Sequence, residues 1–408
     1  MSSTIPFSRR TAWDRAVEPL ARLRAEMEAA GVAVLDLTES NPTRAGLPYP
    51  GERILAALAR DAALHYVPDP RGALAARRAI ASHLAAGGIE GASAERMVLT
   101  ASTSEAYAWL FKLLCEPGDE ILVPAPSYPL FDFLAQVEGV GIVRYPLEYD
   151  GRWRLDAGEL AHAATQRSRA VLVVHPNNPT GSMLRETEAR ELAAFCAERG
   201  LAVISDEVFA DFPFGDDLPA GTPRSLLGIV GRTALVFSLG GLSKAAGLPQ
   251  LKLSWILADG PAAEREEALA RLEILGDTFL SVGTPVQAGV DALLGAGRAV
   301  RDTIRARVRA NRAHLEAAAS VPGCCWEVLA ADGGWYAVVR VPRILTDEQW
   351  AMRLLEDERV YVHPGYLFDF PGEGYLVLSL LPPEETFRAA AGRMADRIAR
   401  EATGEQPR

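Results

Sequence analysis

Lysine is almost absent from this chain. Of its 42 lysine and arginine residues only three, Lys112, Lys244 and Lys252, are lysines, so the other 39 are arginines. The chain therefore takes its ordinary surface charge from arginine, and two lysines within nine residues require a chemical reason. Lysine differs from arginine because its amine can lose a proton and become a nucleophile. Two surface lysines beside a loop are the simpler alternative at this point.

Recognisable metal and disulfide spacings are also missing. The six histidines form no HExxH cluster, and no two of the four cysteines stand in a CxxC pair. No apolar run is long enough to span a bilayer, and the first residues are not followed by the apolar core of a signal peptide. We therefore expect no metal site, no membrane partner, and a cytoplasmic location with reduced cysteines. The cysteines are Cys115, Cys196, Cys324 and Cys325.

The overall charge is acidic. A formal net charge of −11 argues against nucleic acid as a partner, because phosphate binding needs a basic surface. Hydrophobic residues make up 49% of the chain and charged residues 23%, which are values of globular proteins. At 408 residues the chain is long enough for two domains and a large core.

Strand and helix patterns alternate between Met97 and about Gly240. Short apolar segments, among them Val171–Val174, Leu201–Ser205 and Ala234–Ser238, are separated by patterns typical of helices. Such strands indicate a mostly parallel sheet that is covered on both faces. Ligands of open parallel sheets bind beyond the carboxyl ends of the strands, and every motif discussed below lies at such an end.

The segments on either side of this region differ from it. Residues Thr11–Gly31 are predicted to form one amphipathic helix, and Pro285–Ala318 a long arginine-rich helix. A smaller α+β region follows the long helix, and we expect the N-terminal 45 residues to pack with it. The sequence therefore predicts a large domain over residues 46–284, and a small domain over residues 1–45 and 285–408.

Two motifs could hold an anion or a polar ring. Ser102, Thr103 and Ser104 directly precede a predicted helix, whose free N–H groups and dipole attract a phosphate. An ordinary N-cap explains the same residues. Asn178 lies in the turn Asn177–Gly181 after a predicted strand, where its amide could donate to an oxygen of a ligand.

Asp206 follows another buried strand. A carboxylate in that place is costly unless it is paired, and the nitrogen of a protonated pyridine ring would be a suitable partner. A helix-capping or salt-bridged aspartate explains the residue equally well when it is considered alone. The order along the chain, helix start, Asn178, Asp206 and then Lys244, is more specific than any one of its parts.

This order resembles the fold-type I enzymes that depend on pyridoxal phosphate, in particular the class I/II aminotransferases. The spacings Asn178 to Asp206 (28 residues), Asp206 to Lys244 (38) and Lys244 to Lys252 (8) are similar to those of the family. The resemblance extends from Asn41 to Ser379. It implies an α/β fold with a mostly parallel, seven-stranded type of sheet flanked by helices, and a smaller α+β domain.

The resemblance also implies roles for individual residues. Lys244 would form the internal aldimine with pyridoxal phosphate and then act as base and acid, Asp206 would pair with the pyridine nitrogen, and Asn178 would bind the phenolic oxygen. Tyr128 would stack on the ring. Tyr66 would reach the phosphate of a neighbouring subunit, which implies a homodimer with shared active sites. The residues expected at the phosphate are Ser102, Thr103, Ser104, Lys252, and either Ser238 or Ser243.

Three positions depart from the family's pattern. Lys252 stands where the family usually has an arginine on the phosphate. Phe209 replaces a tyrosine that binds the phenolic oxygen, and the lost hydrogen bond is expected to raise the pKa of the lysine–coenzyme linkage. Val377 replaces the arginine that grips the α-carboxylate of the substrate. Either another arginine serves, with Arg44 as the candidate and Asn41 of the same loop as a further substrate contact, or the substrate is not a standard α-amino acid.

The resulting function is an aminotransferase that moves an amino group from an amino donor to a 2-oxo acid. A lyase or decarboxylase that uses the same coenzyme is an alternative, because it needs the same residues. A regulator that senses pyridoxal phosphate would carry an added DNA-binding region, for which the segment before Asn41 is too short.

Overall fold

The structure is a computed structural model that describes residues 5–404. These residues form fourteen strands and thirteen α-helices. The strands are β1 (Leu35–Asp36), β2 (Met97–Thr100), β3 (Glu120–Ala125), β4 (Gly141–Tyr149), β5 (Trp153–Leu155), β6 (Ser168–Val174), β7 (Ala202–Asp206), β8 (Val236–Gly241), β9 (Ser254–Asp259), β10 (Glu327–Val328), β11 (Tyr336–Arg340), β12 (Val360–Tyr361), β13 (His363–Pro364) and β14 (Tyr375–Ser379). The helices are α1 (Pro19–Ala29), α2 (Gly51–Leu58), α3 (Leu74–Ala86), α4 (Thr103–Leu114), α5 (Phe131–Glu138), α6 (Ala157–Ala163), α7 (Glu186–Arg199), α8 (Leu227–Val230), α9 (Leu242–Ala245), α10 (Ala262–Phe279), α11 (Thr284–Ala319), α12 (Asp347–Glu358) and α13 (Glu384–Thr403).

The larger sheet has eight strands in the order β2-β9-β8-β7-β6-β3-β4-β5. Neighbouring strands from β8 to β4 run parallel, whereas β2, β9 and β5 pair antiparallel with their neighbours. The predicted α/β fold with a mostly parallel sheet is confirmed. Its strand number exceeds the predicted seven-stranded type by one, because the short strand β5 forms a hairpin with β4.

The central strands are buried on both faces. Val171, Leu172, Val203 and Ile204 are fully inaccessible to solvent, because helices cover both sides of the sheet. Burying each such side chain stabilises the fold by roughly 1.5–3 kcal/mol. The rigid strands carry polar residues at their carboxyl ends, which lie at one edge of the sheet.

A smaller antiparallel sheet has the order β10-β11-β14-β13. Beside it, strand β1 from the N-terminal segment pairs in parallel with β12, and Leu37 N donates to Tyr361 O at 2.9 Å. The N-terminal segment therefore packs with the C-terminal part of the chain.

The first helix is shorter than the sequence pattern predicts. The prediction of one helix over Thr11–Gly31 is wrong in its first part, because α1 begins only at Pro19. Proline disfavours helical geometry in the residue before it and is tolerated in the first turn of a helix. Glu18 accordingly has extended dihedral angles, with φ −55° and ψ 144°, and the preceding segment forms only a 3-10 turn at Arg9–Thr11.

The long helix α11 connects the two sheets. Gly289 packs against Ala57 of α2, and further along Asn311 Nδ2 donates to Leu380 O at 2.9 Å. Between these contacts, Gly297 lies against the turn that carries Lys244, and a Cβ on Gly297 would stand 2.4 Å from Ala246 Cβ. Only glycine allows so close an approach. Although α11 has 36 residues, no helix within residues 5–404 has both the length and the apolar character needed to cross a membrane.

A methyl group at position 297 is expected to destabilise the protein. We expect Gly297→Ala to lower the free energy of unfolding by about 1–3 kcal/mol, because the added atom overpacks the contact with Ala246. Gly295→Ala is the matched control in the same helix, since its Cβ would meet no atom within 4 Å. That control is expected to raise stability by about 0.5–1 kcal/mol through helix propensity. Urea unfolding measures both changes, and equal effects at the two positions would contradict the close contact.

Candidate active site

A cavity of about 190 Å³ lies at the carboxyl ends of β6, β7 and β8. Asn178 reaches it from the turn after β6, Asp206 is the last residue of β7, and Lys244 follows β8 on the short helix α9. The start of α4 completes the polar side of the cavity. The residues predicted from the sequence that line it are Thr103, Ser104, Tyr128, Asn178, Asp206, Ser243 and Lys244.

Lys244 is held by a turn of small residues. A Cβ on Gly240 would lie 2.6 Å from the indole ring of Trp255. Glycine therefore allows the end of β8 to pack closely against the Trp255 side chain of β9. At the other end of α9, Arg301 Nη1 donates a hydrogen bond to Ala245 O at 3.1 Å. The Lys244 Nζ atom lies 4.3 Å from the ring centroid of Trp335 and 5.3 Å from that of Phe209. The amine is therefore surrounded mainly by hydrocarbon.

This environment makes Lys244 a weaker base than an exposed lysine. Burial lowers the pKa of its amine to about 8, although the negative charge of Asp206 acts in the opposite direction. A larger fraction of the amine is consequently neutral near physiological pH, and the neutral form is the nucleophile.

We expect the rate of covalent reconstitution with pyridoxal phosphate to depend on this pKa. Below about pH 8 the rate should rise about tenfold per pH unit, because the neutral amine becomes more abundant, and it should level off above that pH. Asp206→Asn removes a charge that raises the pKa of Lys244, so the midpoint should shift to lower pH in that variant. Stopped-flow absorbance of the coenzyme-free protein mixed with pyridoxal phosphate measures both profiles. A midpoint near the ordinary lysine value would contradict the buried amine.

Asp206 is buried and held on both oxygens. Its Oδ2 atom accepts a hydrogen bond from the Tyr107 hydroxyl at 2.6 Å, and Oδ1 accepts one from Val208 N at 3.1 Å. Burial raises the pKa of this carboxyl above its ordinary value, while the hydrogen bond from Tyr107 opposes the shift. A cationic group that entered the cavity beside Asp206 would stabilise the carboxylate.

The start of α4 offers an anion site. Ser102 is the N-cap residue, and its hydroxyl accepts a hydrogen bond from Glu105 N at 3.1 Å. The capping interpretation is therefore correct for the Ser102 side chain, which does not line the cavity. Thr103 and Ser104, in the first turn of this twelve-residue helix, do line it. Backbone N–H groups at such a start bind phosphate oxygens well.

The turn after β6 directs Asn178 into the cavity. The neighbouring Asn177 holds the turn, because its Oδ1 atom accepts hydrogen bonds from Thr180 N at 3.2 Å and from Thr180 Oγ1 at 2.9 Å. The Asn178 Oδ1 atom is buried and has no hydrogen-bond partner among the described residues. Since a buried acceptor without a partner is costly, this oxygen is available to a hydrogen-bond donor of a ligand.

Other predicted residues lie away from the cavity. Of the two alternatives for a phosphate hydroxyl, Ser243 lines the cavity, whereas the Ser238 hydroxyl donates to Glu207 Oε2 at 2.8 Å and lines a separate cavity. Lys252 is exposed and has a left-handed backbone with φ 50°. Tyr66 is 75% exposed on the surface of this chain.

The candidate substrate residues Asn41 and Arg44 do not line the cavity either. The Asn41 Oδ1 atom accepts hydrogen bonds from Thr43 within its own loop. Arg44 has a 72% exposed side chain and pairs with Glu39 at 3.2 Å. The neighbouring Ser40 lines the cavity in their place.

Comparison with known proteins decides the family. The family model described as aminotransferase class I and II matches residues 32–393. The chain belongs to the class I/II aminotransferases. This enzyme is 31% identical to the arginine–pyruvate transaminase of Pseudomonas aeruginosa over 388 residues, which cover 94% of this chain and 93% of that protein. It is 23% identical to a glutamate–pyruvate aminotransferase of Haemophilus influenzae over 386 residues, which cover 92% and 93% of the two chains.

Solved structures have the same fold as this aminotransferase. The alanine aminotransferase of Pyrococcus furiosus superposes with a TM-score of 0.84 at 24% identity, and the match covers 97% of this chain and all 100% of that one. An aminotransferase from Escherichia coli also gives a TM-score of 0.84, at 23% identity, over 97% and 99% of the two chains. The fold-type I architecture is therefore confirmed. Like the rest of its family, the enzyme depends on pyridoxal phosphate.

Sequence reasoning missed four polar residues of the aminotransferase's cavity: Ser40, Tyr107, Ser254 and Tyr336. Ser254 is the first residue of β9. Tyr107 lies one helical turn after Thr103, so the spacing along α4 could have placed it on the same face. Tyr336 is the first residue of β11, and Ser40 precedes Asn41 in the N-terminal loop. The last two come from parts of the chain far from the large sheet, and no local pattern connects them to Lys244.

Proposed function

We propose that, in transamination, one group of cavity residues holds the coenzyme and another group transfers or holds protons. The enzyme is an aminotransferase, and the alternative of a lyase or decarboxylase is not favoured, because its relatives are named aminotransferases. The main support for the proposal is that one cavity contains Lys244, whose pKa is lowered, the buried carboxylate of Asp206, and the start of helix α4. Pyridoxal phosphate supplies an aldehyde and a ring that withdraws electrons from the reacting carbon of the donor.

The polar residues orient the coenzyme in this proposal. Backbone N–H groups of Thr103 and Ser104 bind its phosphate, and the Ser243 hydroxyl adds a further hydrogen bond. Tyr128 covers one face of the ring, and the amide of Asn178 binds the phenolic oxygen. Ser102 supports this site as the N-cap residue, and Lys252 contributes positive charge from the surface.

Two residues handle protons. The Lys244 Nζ atom would hold the coenzyme, and its free amine would take the proton from the donor carbon and pass it to the carbon of the coenzyme that receives the nitrogen. Asp206 keeps the proton on the pyridine nitrogen, because its buried carboxylate gains a cationic partner there. Tyr107 supports Asp206, since burial and the nearby carboxylate raise the pKa of its phenol and it remains a donor.

We propose further that the enzyme is a cytoplasmic homodimer with shared active sites. Apolar side chains are exposed on the surface around Tyr66, and a second copy of the chain would cover them. Size-exclusion chromatography with light scattering tests this, and a monomer at micromolar concentration would contradict it. The exposed side chains are Leu64, Tyr66, Val67, Ile274 and Phe279.

The division of the chain into a large domain over residues 46–284 and a small domain over residues 1–45 and 285–408 stays a prediction.

The half-reaction tests the function directly. The purified holoenzyme is mixed with a panel of amino acids, amines and diamines, and the absorbance of the lysine–coenzyme linkage is followed. We expect at least one donor to discharge the chromophore with release of a carbonyl product, and a 2-oxo acid to restore it. A holoenzyme that no donor discharges, or one that releases a lyase product instead, would contradict transamination.

A further inference from the structure

A second cavity adjoins the active-site cavity. It measures about 40 Å³, and Val208 and Gly241 line both cavities. Titratable side chains that the proposed mechanism does not use also line the second cavity, among them His83 and Asp211. Ala245, the residue directly after the catalytic lysine, lines it as well. The backbone next to that lysine therefore borders a polar cluster outside the active site.

Arg301 joins this cluster to the turn that carries the lysine. It comes from α11 and is only 9% exposed. Its Nη1 atom donates a hydrogen bond to Ala245 O at 3.1 Å, and the same atom lies 3.5 Å from Asp211 Oδ2 and 3.5 Å from His83 Nε2. Burial lowers the pKa of His83, which favours the neutral ring, and a neutral ring can accept a hydrogen bond. All three contacts thus meet on one nitrogen atom of Arg301.

Stability does not explain this buried guanidinium. Its Nε atom is buried and has no hydrogen-bond partner among the described residues. Burying a charge and leaving a donor unpaired both cost free energy, and an apolar side chain would avoid both costs. Arg305, one turn later on α11, already connects this helix to the residues after β7, because its Nε atom donates to Asp211 O at 2.5 Å. What Arg301 adds is the hydrogen bond to Ala245 O.

The short helix α9 needs a contact of this kind. It has only four residues, and a helix of that length is not stable by itself. The last carbonyl groups of a helix also lack partners within the helix. Lys244 O accepts a hydrogen bond from Gly247 N at 3.2 Å inside the turn, whereas Ala245 O receives one from Arg301. Loss of that bond would release the end of the helix that carries the lysine.

We infer that Arg301 is a positioning residue for the catalytic lysine. Its hydrogen bond to Ala245 O fixes the end of α9, and thereby the direction in which the Lys244 amine points. His83 and Asp211 support this role, because they contact the same nitrogen atom. Arg301 does not line the active-site cavity, so it acts through the backbone and not by touching the coenzyme. The inference rests on the role proposed above for Lys244.

Formation of the bond between Lys244 and pyridoxal phosphate tests the inference. In this step the neutral amine adds to the coenzyme aldehyde, a C=N bond replaces the C=O bond, and one molecule of water leaves. Stopped-flow absorbance of the coenzyme-free protein at several pyridoxal phosphate concentrations separates the affinity of initial binding from the first-order rate of bond formation. We expect Arg301→Met to lower that rate at least about tenfold and to leave the initial affinity unchanged, because a small misplacement of a reacting group costs up to about 10²-fold.

Two further variants separate position from charge and from packing. Arg301→Lys should keep most of the rate, because the three contacts meet on one nitrogen and an ammonium group presents three donors from one atom. Arg305→Met is the matched control, since it removes an arginine that binds Asp211 from the same helix, and it should keep the full rate. A loss in either variant as large as that in Arg301→Met would overturn the inference.

The pH profile of bond formation gives a readout that loosened packing alone would not produce. In Arg301→Met the plateau above about pH 8 should fall while the midpoint stays where it is in the unaltered protein, because the position of the amine changes and its pKa does not. A shifted midpoint with an unchanged plateau would overturn the inference.

Hydrogen exchange reports on the turn without any coenzyme. The Gly247 amide, which donates to Lys244 O, should exchange at least about tenfold faster in Arg301→Met and at the unaltered rate in Arg305→Met. Equal exchange in the two variants would overturn the inference. Should Arg301→Met not fold, Arg301→Gln, which is shorter and uncharged, is expected to show the same loss of rate, and an unchanged rate there would have the same consequence.

Failure of the inference can be told apart from failure of the proposed function. If the unaltered protein forms no bond with pyridoxal phosphate, both fail. If the unaltered protein forms the bond and Arg301→Met forms it equally fast, only the positioning role of Arg301 is overturned.

Discussion

Replacement of Lys244 with alanine is expected to remove the covalent bond between the protein and its coenzyme. Borohydride should then trap no coenzyme on the chain, because the nucleophilic amine in the cavity is gone. Transamination should fall by at least about 10²–10⁴-fold, which is the usual contribution of a general acid–base group alone. Mass spectrometry after reduction and a single-turnover assay measure the two effects.

The scarcity of lysine makes the control for this experiment unusually clean. Lys112 pairs with Glu138 and does not line the cavity, so Lys112→Arg should leave both trapping and turnover unchanged. A Lys244→Ala protein that still carried a reducible coenzyme adduct would refute the assignment, and with only three lysines in the chain peptide mapping would identify the true site at once.

The second large effect is expected at Asp206. Asp206→Asn keeps the shape of the side chain but removes the negative charge that lines the cavity, and the Tyr107 hydroxyl can still donate to its oxygen. Loss of one member of a buried ion pair costs about 3–5 kcal/mol, which corresponds to about 10²–10⁴-fold in the rate of the half-reaction. The coenzyme should also dissociate more readily.

Stability must be separated from catalysis in this variant. Asp302→Asn, on the exposed face of α11, is the control for an ordinary loss of one negative charge, and it should change neither rate nor coenzyme affinity. Thermal unfolding of the apoenzyme should differ little between the two variants. If Asp206→Asn kept full half-reaction rates, Asp206 would not be the partner of the ring nitrogen.

The centre of the cavity could be predicted because it depends on local patterns. Asn178, Asp206 and Lys244 each follow a short apolar strand, and parallel strands bring their carboxyl ends to one edge. Thr103 and Ser104 could be predicted because a helix start is visible in the sequence. Their positions can be predicted once the strands and the order of the strands in the sheet are known.

The other parts depend on tertiary structure. Tyr107 meets Asp206 only because α4 packs on the sheet beside β8 and β9, and Ser40 and Tyr336 come from the small-sheet side. The choice between Ser238 and Ser243 could not be made from sequence, because it depends on the face of β8 from which Ser238 projects and on the orientation of α9, which carries Ser243. The hydrogen bond from Ser238 to buried Glu207 decides it.

The same distinction applies to the secondary structure. The long periodic segment of α11 was predicted within about a residue at each end. The start of α1 was not, because the proline at position 19 overrides an apolar pattern that continues before it. Strand β5 was missed because a three-residue strand carries too little pattern of its own.

The uninterrupted α11 mechanically joins the two halves of the enzyme. Its proline lies only in the first turn, and its later turns are fixed to the small sheet through Asn311, so the helix has no built-in hinge. A rotation of the small sheet would therefore strain α11 at two contacts. Gly297 touches Ala246 at one, and Arg301 donates a hydrogen bond to the carbonyl of Ala245 at the other. Any movement of the small sheet towards the cavity would therefore also shift the turn that positions the Lys244 amine.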